Sequence, residues 1–223
     1  MTTTEAEDHK RAAAIAAAEE IEDGMRLGLG TGSTVAHLLP AIAARGFTRL
    51  RCVATSVATE RQAAGLGLAV EPFTALSALD LAIDGADQIA PDGWIVKGGG
   101  GAHTREKIVA AAAQRFVVIA DVSKVVDALA APVPLELLAY GLPATLTALA
   151  TGDGGAVAVR EGAPPSPDGG VIADYAGDVS DPAALAARLS ATPGVVDHGL
   201  FPPSLTSEVI VAGPDGVTRR ALA

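Results

Sequence analysis

Residues 98–101 are four consecutive glycines, set between an apolar segment at 94–96 and the start of an apolar helical pattern at 108–113. Glycine loses more backbone freedom on folding than any other residue, so an ordered run of four is costly. With apolar elements on both flanks, the run reads as a strand-to-helix turn whose backbone must come close to a ligand. The N–H groups of such a turn, together with the positive end of the helix dipole, form an anion site. Lys97 adds a full charge at its entrance, and Glu106 falls in the first helical turn after Thr104 and Arg105. That pairing points to acid/base chemistry on a phosphorylated small molecule.

The rest of the chain repeats the same local grammar. A capping-box spacing at Thr4-Glu5-Ala6-Glu7 predicts a helix running to about residue 22. Apolar runs at 25–29, 50–54, 79–83 and 116–120 predict buried strands, with helical patterns at 35–44 and 57–66 after the first two. Strands alternating with helices predict an α/β fold: a mostly parallel, Rossmann-like sheet with helices on both faces. From about Pro132 prolines and glycines become frequent. Short strand patterns at 156–159, 170–173 and 195–199, with a helix at 181–190, predict a smaller α+β domain. The expected boundaries are 1–130 with 202–223 for the catalytic domain and 131–201 for the smaller one, to which a role in assembly is ascribed. The apolar run 208–212 is expected to return to the main sheet.

Charge and composition narrow the partners. The 223 residues are 49% hydrophobic and 19% charged, with a formal charge of −10. This is the composition of a folded globular protein, and its sign argues against nucleic acid or an anionic membrane as partner. A polar, acidic N-terminus without an apolar stretch of about 18 residues predicts a cytoplasmic protein with no membrane span. The single cysteine, Cys52, excludes an internal disulfide and lies in an apolar neighbourhood that predicts a core position.

In a parallel α/β sheet, ligands gather outside the carboxyl ends of the strands. Four polar clusters fall at such ends. Thr31, Gly32, Ser33 and Thr34 offer hydroxyls and N–H groups to a phosphate or sugar; no lysine follows the last glycine, so this is not a Walker loop, and a hydroxyl-capped turn is the alternative. Asp84, Gly85, Ala86 and Asp87 place two carboxylates in one turn, where they can exchange protons with sugar hydroxyls or orient a lysine. A turn or capping role is the alternative, and without a nearby histidine or third carboxylate no metal is expected. Lys97 to Gly101 form the third cluster, with Lys97, Gly98, Gly99 and Gly100 as candidate binding residues, and Asp121 to Lys124 the fourth, with Lys124 able to bind phosphate or simply lying at the surface. For Glu106 the alternative is simple complementarity to the helix dipole.

GLGTGST at 28–34, SVATE at 56–60, DGADQI at 84–89, KGGGGAHTREKIVA at 97–110, ADVSK at 120–124, PGVVDHGLF at 193–201 and GPDGV at 213–217 together resemble type A ribose-5-phosphate isomerase. The resemblance runs in order over nearly the whole chain. It implies interconversion of ribose 5-phosphate and ribulose 5-phosphate in the non-oxidative pentose phosphate pathway, without a metal or organic cofactor. Glu106 matches the base that moves a proton between C2 and C1. Asp84, Asp87 and Lys97 match groups around the reacting hydroxyls. Thr31 to Thr34, Lys97 to Gly100 and Lys124 match substrate- and phosphate-binding segments, and Lys10 matches a lysine of the same site. The family is also homo-oligomeric, as dimers or dimers of dimers. Departures from the family pattern are Gln88, Gly101, His103 and the PDGG sequence at 167–170. A sugar-phosphate sensor and a related deaminase or lactonase are the rival readings. The lack of a basic helix-turn-helix segment weighs against the sensor, and the KGGGG…TREK pattern favours the isomerase.

Overall fold

The computed structural model describes residues 2–151 and 155–222. In chain order its first elements are α1 (Thr3–Ala18), β1 (Arg26–Leu29), α2 (Ser33–Ala43), β2 (Arg51–Ala54), α3 (Val57–Gly65) and β3 (Leu79–Asp84). There follow β4 (Gln88–Ile89), β5 (Ile95–Val96), α4 (His103–Ala112), β6 (Ala113–Asp121), β7 (Val133–Leu137), α5 (Leu142–Ala150) and β8 (Val157–Val159). The last are β9 (Val171–Tyr175), α6 (Pro182–Ala191), β10 (Val195–His198), β11 (Leu200–Phe201), β12 (Glu208–Gly213) and β13 (Gly216–Ala221). No helix among the described residues is long and apolar enough to cross a membrane.

Two compact units emerge. The first holds the chain up to Ala86, then Arg105–Val125 and the segment from Pro203; the second holds Asp87–Thr104 and Val126–Pro202. Within the first, six strands form one sheet in the order β13-β12-β6-β3-β1-β2, parallel except for the β12–β13 hairpin. The run 208–212 does return to the main sheet, pairing in parallel with β6. Side chains alternate between faces along a strand. Leu27 and Leu29 of β1 lie in the core with Ala13, Ala14 and Ala17 of α1 and Leu38, Leu39 and Ile42 of α2. Between them Gly28 faces the other way, where an added Cβ would sit 2.4 Å from Val109 Cγ1 of α4. Helices therefore cover both faces, and the glycine is what lets α4 approach β1 so closely. Cys52 is fully buried in this core, and burial pushes its thiol up to about 12.

The start of α1 differs from the sequence expectation. Thr2, not Thr4, is the N-cap: its side chain accepts from Glu5 N–H at 3.3 Å and Glu5 Oε2 accepts from Thr2 N–H at 2.6 Å. Both threonines have an acid three residues on, and the earlier register gains two helical residues while leaving Glu7 for partners outside the cap. The helix also ends earlier, at Ala18.

In the second unit a four-stranded antiparallel sheet, β10-β7-β9-β8, and a three-stranded one, β11-β5-β4, share a core. That core joins Val96, Val133, Leu135, Leu137, Leu149, Ala173, Tyr175, Leu185, Leu189 and Leu200. Strand β7 and helix α5 were hidden behind the prolines of 132–143, which ordinarily argue against a central strand. Pro134 nevertheless lies within β7; it has no N–H to donate, and its carbonyl accepts from Gly199 N–H at 2.7 Å.

Candidate active site

In the first unit the end of β1 turns into α2 through Gly30, Thr31 and Gly32, and Asp84 closes the end of β3 beside it. The Asp84 side chain is only 2% exposed. Its Oδ1 accepts from Thr31 N–H at 3.0 Å and from Gly85 N–H at 2.7 Å. The turn that carries it is itself braced: Thr31 Oγ1 lies 2.7 Å from Thr55 Oγ1, and Thr59 Oγ1 donates to the Gly30 carbonyl at 2.9 Å. Gly32, with φ of 126°, opens α2 in a conformation that L side chains rarely adopt. Thr34 is buried, whereas Gly32 and Ser33 face solvent.

Gly30 has a steric reason to be glycine. A Cβ there would fall 1.9 Å from the Asp84 carboxylate carbon. Gly30→Ala is therefore expected to displace a carboxylate that two N–H groups hold, and to destabilise the protein by about 1–3 kcal/mol. A chemical-denaturation midpoint equal to that of the wild type would show that Asp84 is not anchored in this way.

Glu106 is 4% exposed in the first turn of α4. Lys124 ends a 3₁₀ turn, 122–124, whose cap is the buried Asp121, accepting from Ser123 N–H at 2.9 Å. Lys10 lies along α1, where its Nζ meets Glu7 Oε1 at 2.7 Å, and His37 Nε2 of α2 lies 2.8 Å from Glu7 Oε2. Hydrogen bonds from Lys10 and then His37 hold the Glu7 carboxyl below its usual range.

In the second unit the glycine run forms a tight turn closed by Gly101 N–H on the Gly98 carbonyl at 3.0 Å. Gly98 and Gly101 adopt φ of 102° and 73°, and a Cβ on Gly98 would meet the buried His103 ring at 2.6 Å. Asp87 Oδ2 accepts from Gly99 N–H at 2.7 Å. Lys97 is 2% exposed, its Nζ 5.6 Å from the centre of the Phe201 ring. Its backbone N–H donates to the Gly199 carbonyl at 2.9 Å.

The structure thus joins Thr31, Asp84 and Gly85 in one hydrogen-bonded group, and Asp87 and Gly99 in another. Lys10 is tied instead to Glu7 and His37. Two further groups escaped the sequence reading. Arg160 donates to the carbonyls of Gly98 and Gly99 and pairs with Asp174. Glu136, buried in β7, accepts from Thr104 Oγ1 and Ser166 Oγ, both at 2.5 Å. The signal for each was a carboxylate inside an apolar strand, VPLEL and VIADY, since a charge placed there needs partners.

Comparison with known proteins matches this chain to a family. The family model of ribose 5-phosphate isomerase A (phosphoriboisomerase A) matches residues 51–216. A relative named ribose-5-phosphate isomerase A from Halobacterium salinarum is 46% identical over 221 residues, covering 96% of each chain. The crystal structure of ribose 5-phosphate isomerase A from Neisseria gonorrhoeae superposes with a TM-score of 0.93 at 31% identity, covering 100% of both chains. A D-ribose-5-phosphate isomerase solved in complex with phospho-erythronic acid superposes with a TM-score of 0.91 at 31% identity, over 97% of this chain and 99% of that one. The chain belongs to the ribose 5-phosphate isomerase A family.

Proposed function

We propose that this protein interconverts D-ribose 5-phosphate and D-ribulose 5-phosphate through an enediolate, in the non-oxidative pentose phosphate pathway. The observation that carries the reading is family membership over essentially the full chain; the glycine run, Lys97 and Glu106 support it as residues that match the family's motif. Glu106 takes the proton from C2 of the open aldose and returns it to C1. The C2–H electron pair forms the C1–C2 double bond as the aldehyde oxygen takes the negative charge. A second proton passes from O2 to O1, leaving the ketone at C2. One carboxylate suffices, because a held substrate makes both transfers effectively intramolecular.

The developing charge on O1 and O2 needs an electrophile, and we assign Lys97 with N–H groups of the glycine run to it. Asp84 and Asp87 are assigned to ring opening and to the hydroxyl protons. Asp84 and Asp87 lie three residues apart in one chain turn, and the glycine run leads directly into the helix that carries Glu106. Thr31 to Thr34, Lys124 and Lys10 are assigned to the phosphate and sugar. Following the family resemblance, the enzyme needs no metal or organic cofactor, acts in the cytoplasm and is a homo-oligomer, a dimer or tetramer.

The test is conversion of ribose 5-phosphate by purified protein in excess EDTA. Robust turnover is expected; binding of ribose 5-phosphate without turnover would replace the isomerase with a sensor, and turnover that EDTA abolishes would overturn the metal-free reading.

A further inference from the structure

A peptide plane between two glycines can flip without moving a Cβ, so the run at 98–101 does not by itself decide which way its N–H groups face. One side chain addresses two of those planes. Arg160, just after β8, donates from Nη1 to the carbonyl of Gly98 at 3.3 Å and to that of Gly99 at 2.9 Å. Its Nε and Nη2 are engaged by Asp174 of β9 at 2.8 and 2.6 Å. The bidentate pair fixes the plane of the guanidinium and leaves Nη1 aimed at the run.

In a planar trans peptide the C=O and N–H point in opposite directions. The plane that offers the Gly98 carbonyl to Arg160 carries the Gly99 N–H on its other side, and this N–H is the one that reaches Asp87 Oδ2 at 2.7 Å. The next plane, with the Gly99 carbonyl on Arg160, turns the Gly100 N–H away from the guanidinium by the same rule. Asp87 packs so closely that a Cβ on Gly99 would lie 2.8 Å from Oδ1, so the carboxylate must be met by a backbone donor rather than a side chain.

We propose that Arg160 is a positioning residue for the isomerisation: braced by Asp174, it holds two glycine carbonyls and so aims the Gly99 N–H at Asp87 and sets the direction of the Gly100 N–H. The proposal rests on the assignment of Asp87 and the glycine run to the reacting sugar. Lysine cannot replace arginine here, because a single ammonium does not hold Asp174 through two parallel bonds and both carbonyls at once.

The experiment compares Arg160→Met, Arg160→Lys and Asp174→Asn with the wild type in three readouts: thermal unfolding, steady-state kinetics on ribose 5-phosphate, and the assigned Gly99 amide proton in spectra of 15N-labelled protein. Arg160→Met is expected to lower kcat about 100-fold, the scale of an ångström-sized misplacement, with little change in KM. Arg160→Lys should rescue little of this, Asp174→Asn should fall between, and the Gly99 amide should move upfield in step with kcat. Full kcat in a folded Arg160→Met protein overturns the proposal. So does a lowered kcat with the Gly99 amide unmoved, which would mean that the arginine acts elsewhere. Should Arg160→Met fail to fold, Asp174→Asn, which keeps the arginine, is judged by the same criteria. Asp87→Asn run alongside separates the two levels: full turnover there would sink the assignment of Asp87, whereas Arg160 is judged on the Gly99 amide and kcat together.

Discussion

Glu106→Gln is expected to lower kcat on ribose 5-phosphate by about 10³–10⁴-fold, the upper part of the range for losing a general base, with the fold intact. The substitution keeps the size and shape of a side chain that is 4% exposed in the first turn of α4, so packing is disturbed little. What it removes is the ability to take a proton from carbon. Because the same group is assigned to both the removal at C2 and the delivery at C1, no part of the reaction is spared. Exchange of the C2 hydrogen with deuterium from solvent checks this independently of product formation, and the variant should lose exchange and turnover together. Exchange that persists while turnover falls would place the base on another residue. Turnover within about tenfold of the wild type would remove Glu106 from the chemistry altogether.

Lys97→Met is expected to cost about 10²–10³-fold in kcat, the scale of one oxyanion-stabilising donor lost from a water-excluded site. Methionine keeps an unbranched apolar stem of similar length, and so keeps packing against the Phe201 ring, 5.6 Å from the ammonium. The backbone bond from Lys97 N–H to the Gly199 carbonyl is also untouched. The loss therefore isolates the charge. It should fall on kcat and on C2 exchange alike, because enediolate formation is the step that needs the cation. A folded Lys97→Met protein that retains more than about a third of wild-type kcat would show that the backbone donors suffice without it.

Much of this was written in local sequence. Polar clusters announced Thr31 and Asp84 as candidates at the carboxyl ends of β1 and β3, where a parallel sheet presents ligand-binding residues; the expectation fails for Lys97, because β5 before it pairs antiparallel with β4 and β11 outside that sheet. The doubly covered sheet could be read from strand and helix periods alone. Arg160 could not: it lies 61 residues from Gly99, and only the pairing of β8 with β9 brings it beside Asp174. Glu136 was hidden for a related reason, since Pro132 and Pro134 concealed the strand that buries it. Thr2 and Thr4 fit the same capping pattern equally well, and only the folded helix chose between them.

By itself the sequence determined which residues are candidates for the chemistry and the alternation of strands and helices in the main sheet, because side-chain type, glycine freedom and hydrophobic period are properties of short stretches. The tertiary structure alone decided how those residues are held. Asp84 is locked by N–H groups of two separate turns, and Gly30 must be glycine because that carboxylate comes to it across the sheet. The glycine peptides are turned by an arginine distant in sequence. Orientation of this kind depends on contacts between segments far apart in the chain, and no local pattern encodes them.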